Sequence, residues 1–189
     1  MSAPLEVALA VLAVQGTLGA ADTFYYHEYV YALAAHPELA RSELRLHAAR
    51  DFLYAALYAV LPFVGFHGAF AFALGATFFA EIGITLADFV TEDRVRLPWG
   101  GVAPGERSAH ALIGILYGGF LALFAPRLIA WASEPTALVL HAESAAWQRA
   151  AFPIMAAGAL VMGVRDALAS FGTPRLAFSF FPKSPRPPT

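Results

Sequence analysis

Residues 78–96 read FFAEIGITLADFVTEDRVR. The stretch begins inside an apolar run long enough to cross a membrane and then becomes charged. Glu81, Thr85, Asp88 and Glu92 follow one another at intervals of four, three and four. At the helical period those spacings put all four side chains on one narrow stripe. An ionisable side chain near a bilayer centre costs roughly 2.5–3.5 kcal/mol even on the lenient insertion scale. The stripe must therefore face protein, water or a cation.

The rest of the chain agrees with a membrane setting. Of 189 residues, 59% are hydrophobic and 14% charged, with a mean hydropathy of +0.59. Soluble domains carry about 25% charged residues. The expected fold is an all-α integral membrane bundle of about five transmembrane helices, with a four-helix antiparallel core. Cysteine is absent, which excludes disulfides, thiolate metal sites and cysteine nucleophiles. A net charge of −2 without a long basic run argues against nucleic acid as a partner. Arginine outnumbers lysine eleven to one, as in GC-rich bacterial genomes.

Helix 1 is expected over residues 4–35, apolar from Leu5 to Ala21 and then aromatic and polar (DTFYYHEYVY). It lacks the basic start of a signal peptide and reads as a retained span. His36-Pro37 breaks it. Helix 2 is expected over 38–61, amphipathic first and apolar from Phe52 onward. Gly65-Phe66-His67-Gly68 reads as a tight turn, and helix 3 as 69–93. A loop rich in proline and glycine leads to helix 4, from Pro104 past Pro126 to Trp131. Helix 5 is expected over 145–171. Residues 172–189, with their prolines, read as an irregular cytoplasmic tail after a single transmembrane domain, 1–171.

Alternating spans bring the ends of helices 1, 3 and 5 to the membrane face where helices 2 and 4 begin. Among the acids only Glu6, Glu134 and Glu143 fall on the opposite face, and among the basic residues only Arg127 and Arg149. The positive-inside rule makes the charged face cytoplasmic, in a cell inner membrane, with the N-terminus outside. His67 and His141 belong to the far face, and His36 to a loop.

Two pieces on the charged face share a pattern: Glu43-Leu-Arg-Leu-His47 and Glu106-Arg-Ser-Ala-His110. Each places a carboxylate and an imidazole one turn apart on one helix face. Helix 3 adds Asp88 and Glu92. Helix 1 adds Asp22 and Glu28, with His27 between them. At about 1.5 Å per residue the candidates form two adjacent layers. Asp22, Asp51, Asp88 and His110 are the deeper layer; Glu28, His47, Glu92 and Glu106 are the outer one.

This donor set resembles the ligand logic of di-iron and di-manganese carboxylate bundles. There two helices each give a Glu and two give a Glu-x-x-His pair. The spacing here is Glu-x-x-x-His instead. The resemblance implies ligands Glu28, Glu43, His47, Asp88, Glu92, Glu106 and His110 for two iron or manganese ions, with zinc as an alternative. Asp22, Arg50, Asp51, Arg165 and Asp166 would then support ligands or substrate. The implied activity is oxidation of a lipid or other hydrophobic substrate, with an electron-donor protein of unknown identity.

Other readings remain. Charges gather at membrane helix ends because water is there, so Glu92, Asp93, Arg94 and Arg96 also read as a solvated helix end. Arg50 and Arg165 are candidate partners for Asp88 and Glu81. Glu81 lies about 10 Å deeper than Asp88, where Gln15 is a candidate neighbour and a proton relay a candidate role. Tyr54, Tyr58 and Tyr117 are either lipid-facing or hydrogen-bonded to ligands. The alternative functions are a proton- or ion-coupled transporter using Glu81, Asp88 and Glu92, and a scaffold subunit docking a partner through its charged face.

Overall fold

A computed structural model of the chain describes residues 5–171 and Phe180. The expected irregular tail falls, Phe180 apart, outside the described residues. The elements are α1 (Leu5–Asp22), α2 (Pro37–Val60), β1 (Val64–His67), α3 (Ala69–Val95), α4 (Pro104–Ala132), β2 (Ala137–Leu140) and α5 (Ala146–Ser170). The architecture is all-helical apart from one small antiparallel ribbon.

Four helical segments are long and apolar enough to cross a membrane: Leu5–Val30, Ala69–Val95, Pro104–Ala132 and Ala146–Ser170. The fifth helix, α2, has the length but not the composition. The part before Phe52 carries Glu38, Arg41, Glu43, Arg45, Arg50 and Asp51. The count of apolar spans is therefore four rather than five. α4 continues through Pro126 and α5 through Pro153.

α5 packs along α2 in the most extensive helix pair, and α1 packs along α4. α3 closes the bundle against α2 and α4. α5 is thus an integral wall and not an accessory beside a four-helix core. Gly163 permits its close approach, since a Cβ there would sit 3.1 Å from Asp51 Cβ and 3.2 Å from the Phe52 ring. The apolar core lies between the helices and includes Leu9, Leu12, Leu57, Leu61, Phe120, Phe124 and Phe152.

Burial is inverted relative to a water-soluble bundle. Phe79 is 77% exposed and Ile154 74%, while Glu28, Glu43 and Glu106 are wholly buried. Apolar side chains cover the outside of α3, α4 and α5, and charges fill one end of the interior.

Two local predictions are corrected. Helix 1 does not stay α-helical to residue 35. After Asp22 it becomes a π-helix over Thr23–Val30, closed by the Tyr31 N–H donating to Tyr26 O at 2.9 Å. Ala32 then takes a left-handed conformation (φ +48°), and a 3-10 turn at Leu33–Ala35 leads into α2. The supposed turn at 65–68 is instead β1, whose Val64 to His67 pair with Leu140 to Ala137. The turn is made by Gly68 alone, at φ +58°, where a Cβ would lie 2.6–2.7 Å from the Thr136 backbone.

Candidate metal centre

The charged end of the bundle is built from the last turns of α1 and α3, the first turns of α2 and α4, and the end of α5. Asp22, His27, Glu28, Glu43, His47, Asp88, Glu92, Glu106, His110 and Asp166 are all buried there. Arg96 and Arg165 are buried among them, and Arg50 is half-buried.

The Glu-x-x-x-His pairs face one another across the interior. His47 Nε2 lies 3.7 Å from Glu43 and 3.3 Å from Asp88. His110 Nε2 lies 3.1 Å from Asp22 Oδ2, and its Nδ1 lies 3.3 Å from Glu92. The two expected layers therefore merge into one network, because His110 touches both Asp22 and Glu92. Arg50 donates to Asp88 at 3.2 Å, as its sequence position allowed.

His27 is the residue that α-helical periodicity hides. In a π-helix, i and i+5 come together rather than i and i+4. His27 is the fifth residue after Asp22, and its Nε2 sits 3.8 Å from Asp22 and 3.3 Å from Glu106. Its ring stacks on His47 with centroids 4.6 Å apart and planes 9° apart. The same change of pitch carries Glu28 away. Glu28 pairs with Arg165, which also holds Asp166. Its partner is a guanidinium, and neither it nor Asp88, which pairs with Arg50, belongs to the three clustered donor groups.

Arg96 is a correction of the sequence reading. It is not at a solvated helix end but fully buried. Its Nε and Nη2 donate to Glu43 at 2.6–3.2 Å, and Nη2 also reaches Glu106 at 3.2 Å. Its guanidinium lies 4.0 Å over the Tyr31 ring. Tyr31 in turn donates to Gly101 O at 3.1 Å and accepts from the Ala103 N–H at 3.0 Å. Burial, reinforced by Glu106, pushes the Tyr31 phenol above its usual range, so it stays neutral in this role. Arg94, by contrast, is exposed.

Three groups of donors each lie within 4.8 Å of one another: Asp22/His27/His110, His27/Glu43/His47 and Glu92/Glu106/His110. The last two share no residue. Bonds of about 2.0–2.2 Å put neighbouring ligand atoms up to about 4.4 Å apart, so the spacing suits a metal after small side-chain movements. Many of these atoms also lack a hydrogen bond of acceptable geometry. They include both nitrogens of His27, His47 Nε2, His110 Nδ1, Glu92 Oε2, Glu106 Oε2 and Asp22 Oδ1. Buried polar atoms are nearly always satisfied, so these atoms have capacity for a cation, a water molecule or a shared proton.

Next to the centre a cavity of about 850 Å³ runs towards the middle of the bundle. Asp22, Arg50, Asp51 and His110 line its charged end. Tyr54, Tyr58, Tyr117 and Glu81 line its deeper part. The three tyrosines are buried, so none faces lipid, and none hydrogen-bonds a candidate ligand. Tyr54 donates to Glu81 at 2.9 Å and Gln15 donates to Tyr54 at 3.0 Å, so Gln15 meets Glu81 through a phenol. Arg165 does not reach Glu81; its partners at the end of the bundle are Glu28 and Asp166.

The fold and site together define a bundle of membrane-length helices enclosing a carboxylate–imidazole cluster and an adjoining, largely apolar cavity. No family model matches the chain, and no curated protein or solved structure is significantly similar to it.

Proposed function

We propose that the chain is an integral protein of the bacterial cytoplasmic membrane, with its charged end towards the cytoplasm, and that it is a dimetal oxidoreductase acting on a hydrophobic substrate. One observation carries the reading. Seven buried carboxylates (Asp22, Glu28, Glu43, Asp88, Glu92, Glu106 and Asp166) face only Arg50, Arg96 and Arg165 among the described residues. Protonating all three imidazoles would still leave one negative charge. It would also place two cations in stacked rings 4.6 Å apart, an unfavourable arrangement. Two divalent cations would balance the charge and take up the unpaired donors, whereas protons shared among the carboxylates would balance the charge but leave the imidazole nitrogens without partners.

His27, Glu43 and His47 would hold one ion, and Glu92, Glu106 and His110 the other, with Asp22 next to both. Two histidines and a carboxylate suit non-haem iron, and mixed carboxylate and imidazole also suit manganese or zinc. Arg96 leaves room for this, since a carboxylate has about four lone-pair sites. It orients Glu43 and Glu106 as hydrogen-bonding partners of ligands usually do. Asp166 Oδ2 lies 3.9 Å from His47 Nδ1, beyond hydrogen-bonding distance, and is held by Arg165. The bound metal would supply dioxygen chemistry. In the balanced reaction a substrate C–H bond is oxidised and dioxygen is reduced. One oxygen atom enters the substrate as hydroxyl, or a pair of hydrogens is lost to form an alkene. The remaining oxygen leaves as water, with two electrons and two protons from an external reductant.

The cavity favours an apolar substrate, because most of its wall is aliphatic or aromatic. A proton or ion path is the weaker reading. Beyond Gln15 and Glu81, the interior towards the opposite end is filled by Leu9, Leu12, Leu61, Phe120 and Phe124. The test uses iron-loaded protein reconstituted with lipid extracted from its host, together with a chemical reductant. It should consume dioxygen and leave one extract component heavier by an oxygen atom or lighter by two hydrogens. An unchanged lipid profile would count against the oxidase.

A further inference from the structure

The deep part of the cavity carries a polar station that the metal centre does not use. Glu81 Oε1 accepts from Tyr54 Oη–H and from Thr85 Oγ1–H, both at 2.9 Å. Gln15 Nε2–H donates to Tyr54 Oη at 3.0 Å. Glu81 and Gln15 are each 4% exposed. Gln15, Tyr54, Glu81 and Thr85 all line the cavity.

The hydrogen-bond balance of this station is one-sided. The donors of Tyr54 and Thr85 are spent on Glu81. The unspent capacity is acceptor capacity: Gln15 Oε1 has no partner among the described residues, and a carboxylate has about four lone-pair sites, more than Tyr54, Thr85 and the neighbouring Tyr117 hydroxyl take up. Leaving such a group unpaired in an apolar interior is unfavourable. An occupant that suits the station therefore brings a donor. It must also be neutral, because an ionic head group would not move that far from water. Ketones, ethers and plain hydrocarbon chains bring no donor.

We infer that the Gln15–Tyr54–Glu81 station binds the hydroxyl group of a hydrophobic alcohol or phenol, and that this hydroxyl-bearing molecule is the substrate class. Only the word substrate rests on the dimetal reading; the binding site does not. Glu81 lies seven residues from Asp88 along α3, which is about 10 Å of helix rise. The hydroxyl is therefore held about 10 Å from the charged end, and the carbon presented there is remote from the oxygen already in the molecule. The cavity is near the upper end of the about 300–1,000 Å³ range of small-molecule sites, enough for an extended isoprenoid-sized body.

The experiment compares radiolabelled farnesol with its methyl ether as a competitor, on detergent-purified full-length protein whose metal content is measured in the same preparation. The two differ little in apolar bulk, but only the alcohol donates. Farnesol should bind at least about tenfold more tightly than the ether. Gln15→Met, a swap compatible with a membrane interior, should narrow that ratio several-fold, and Glu81→Gln, which puts N–H donors where only acceptors stood, should narrow it too by weakening farnesol and strengthening the ether. Equal affinities in the wild type, no binding of either compound, or a ratio untouched in both variants overturns the assignment. Preference for the alcohol in a protein that holds no metal and takes up none on loading would sink the dimetal reading and leave this site standing. Bound metal without the preference would do the reverse.

Discussion

His27→Ala is expected to remove most of the bound metal, while Glu28→Gln one position further leaves it in place. Under α-helical periodicity the ordering would be different, since Glu28 was the expected ligand and His27 merely lay between candidates. The π-helix over Thr23–Val30 brings His27 into two of the three donor groups and turns Glu28 to Arg165. Losing a ligand shared by two groups should cost more than losing a supporting hydrogen-bond partner, which itself costs about 10–100-fold in affinity. Metal per chain, measured after dialysis of both variants, decides the matter. Full occupancy in His27→Ala, or loss in a well-folded Glu28→Gln, would show that the helix pitch does not set the ligands.

The largest effect on stability is expected at Arg96. Arg96→Met leaves the buried carboxylates of Glu43 and Glu106 without their shared cation. Removing one partner of a buried ion pair costs about 3–5 kcal/mol. Arg96→Lys should not rescue the fold, because an ammonium cannot span two carboxylates with a planar fork or stack in the same way on Tyr31. Thermal unfolding in detergent should show both variants strongly destabilised. Adding Glu43→Gln to Arg96→Met should recover part of the loss, since the stranded charge goes with it. Wild-type stability in Arg96→Met would mean that the guanidinium does not hold the helix ends together.

What could be read from the sequence follows from how regular each piece of backbone is. Glu43/His47 and Glu106/His110 lie on uninterrupted α-helix, so a spacing of four places them correctly. Arg50 meets Asp88 because both α2 and α3 keep that period. The approach of His27 to Asp22 is obscured by a change of pitch that no single residue type announces. The aromatic run TFYYHEYV was legible as an interfacial segment but not as a π-helix. Arg96 was obscured differently. It follows α3 directly, and only the fold of the loop onto Tyr31 separates its buried fate from that of exposed Arg94. The ribbon was missed because VGFH and ALVL are too short for an alternating pattern to show. α2 was read as a span from its apolar half, although its charged half lies within the bundle end and supplies Glu43, His47 and Arg50.

The central claim is that this bundle end holds two metal ions. The most direct test is elemental analysis of the purified wild-type protein, with and without anaerobic loading by ferrous iron or manganese. The account predicts about two equivalents of iron or manganese per chain, retained through dialysis. One equivalent of zinc would point to hydrolytic chemistry and contradict the oxidative reading. A folded protein that holds no metal and takes up none would contradict the claim itself, and would make the cluster a network of shared protons and ion pairs.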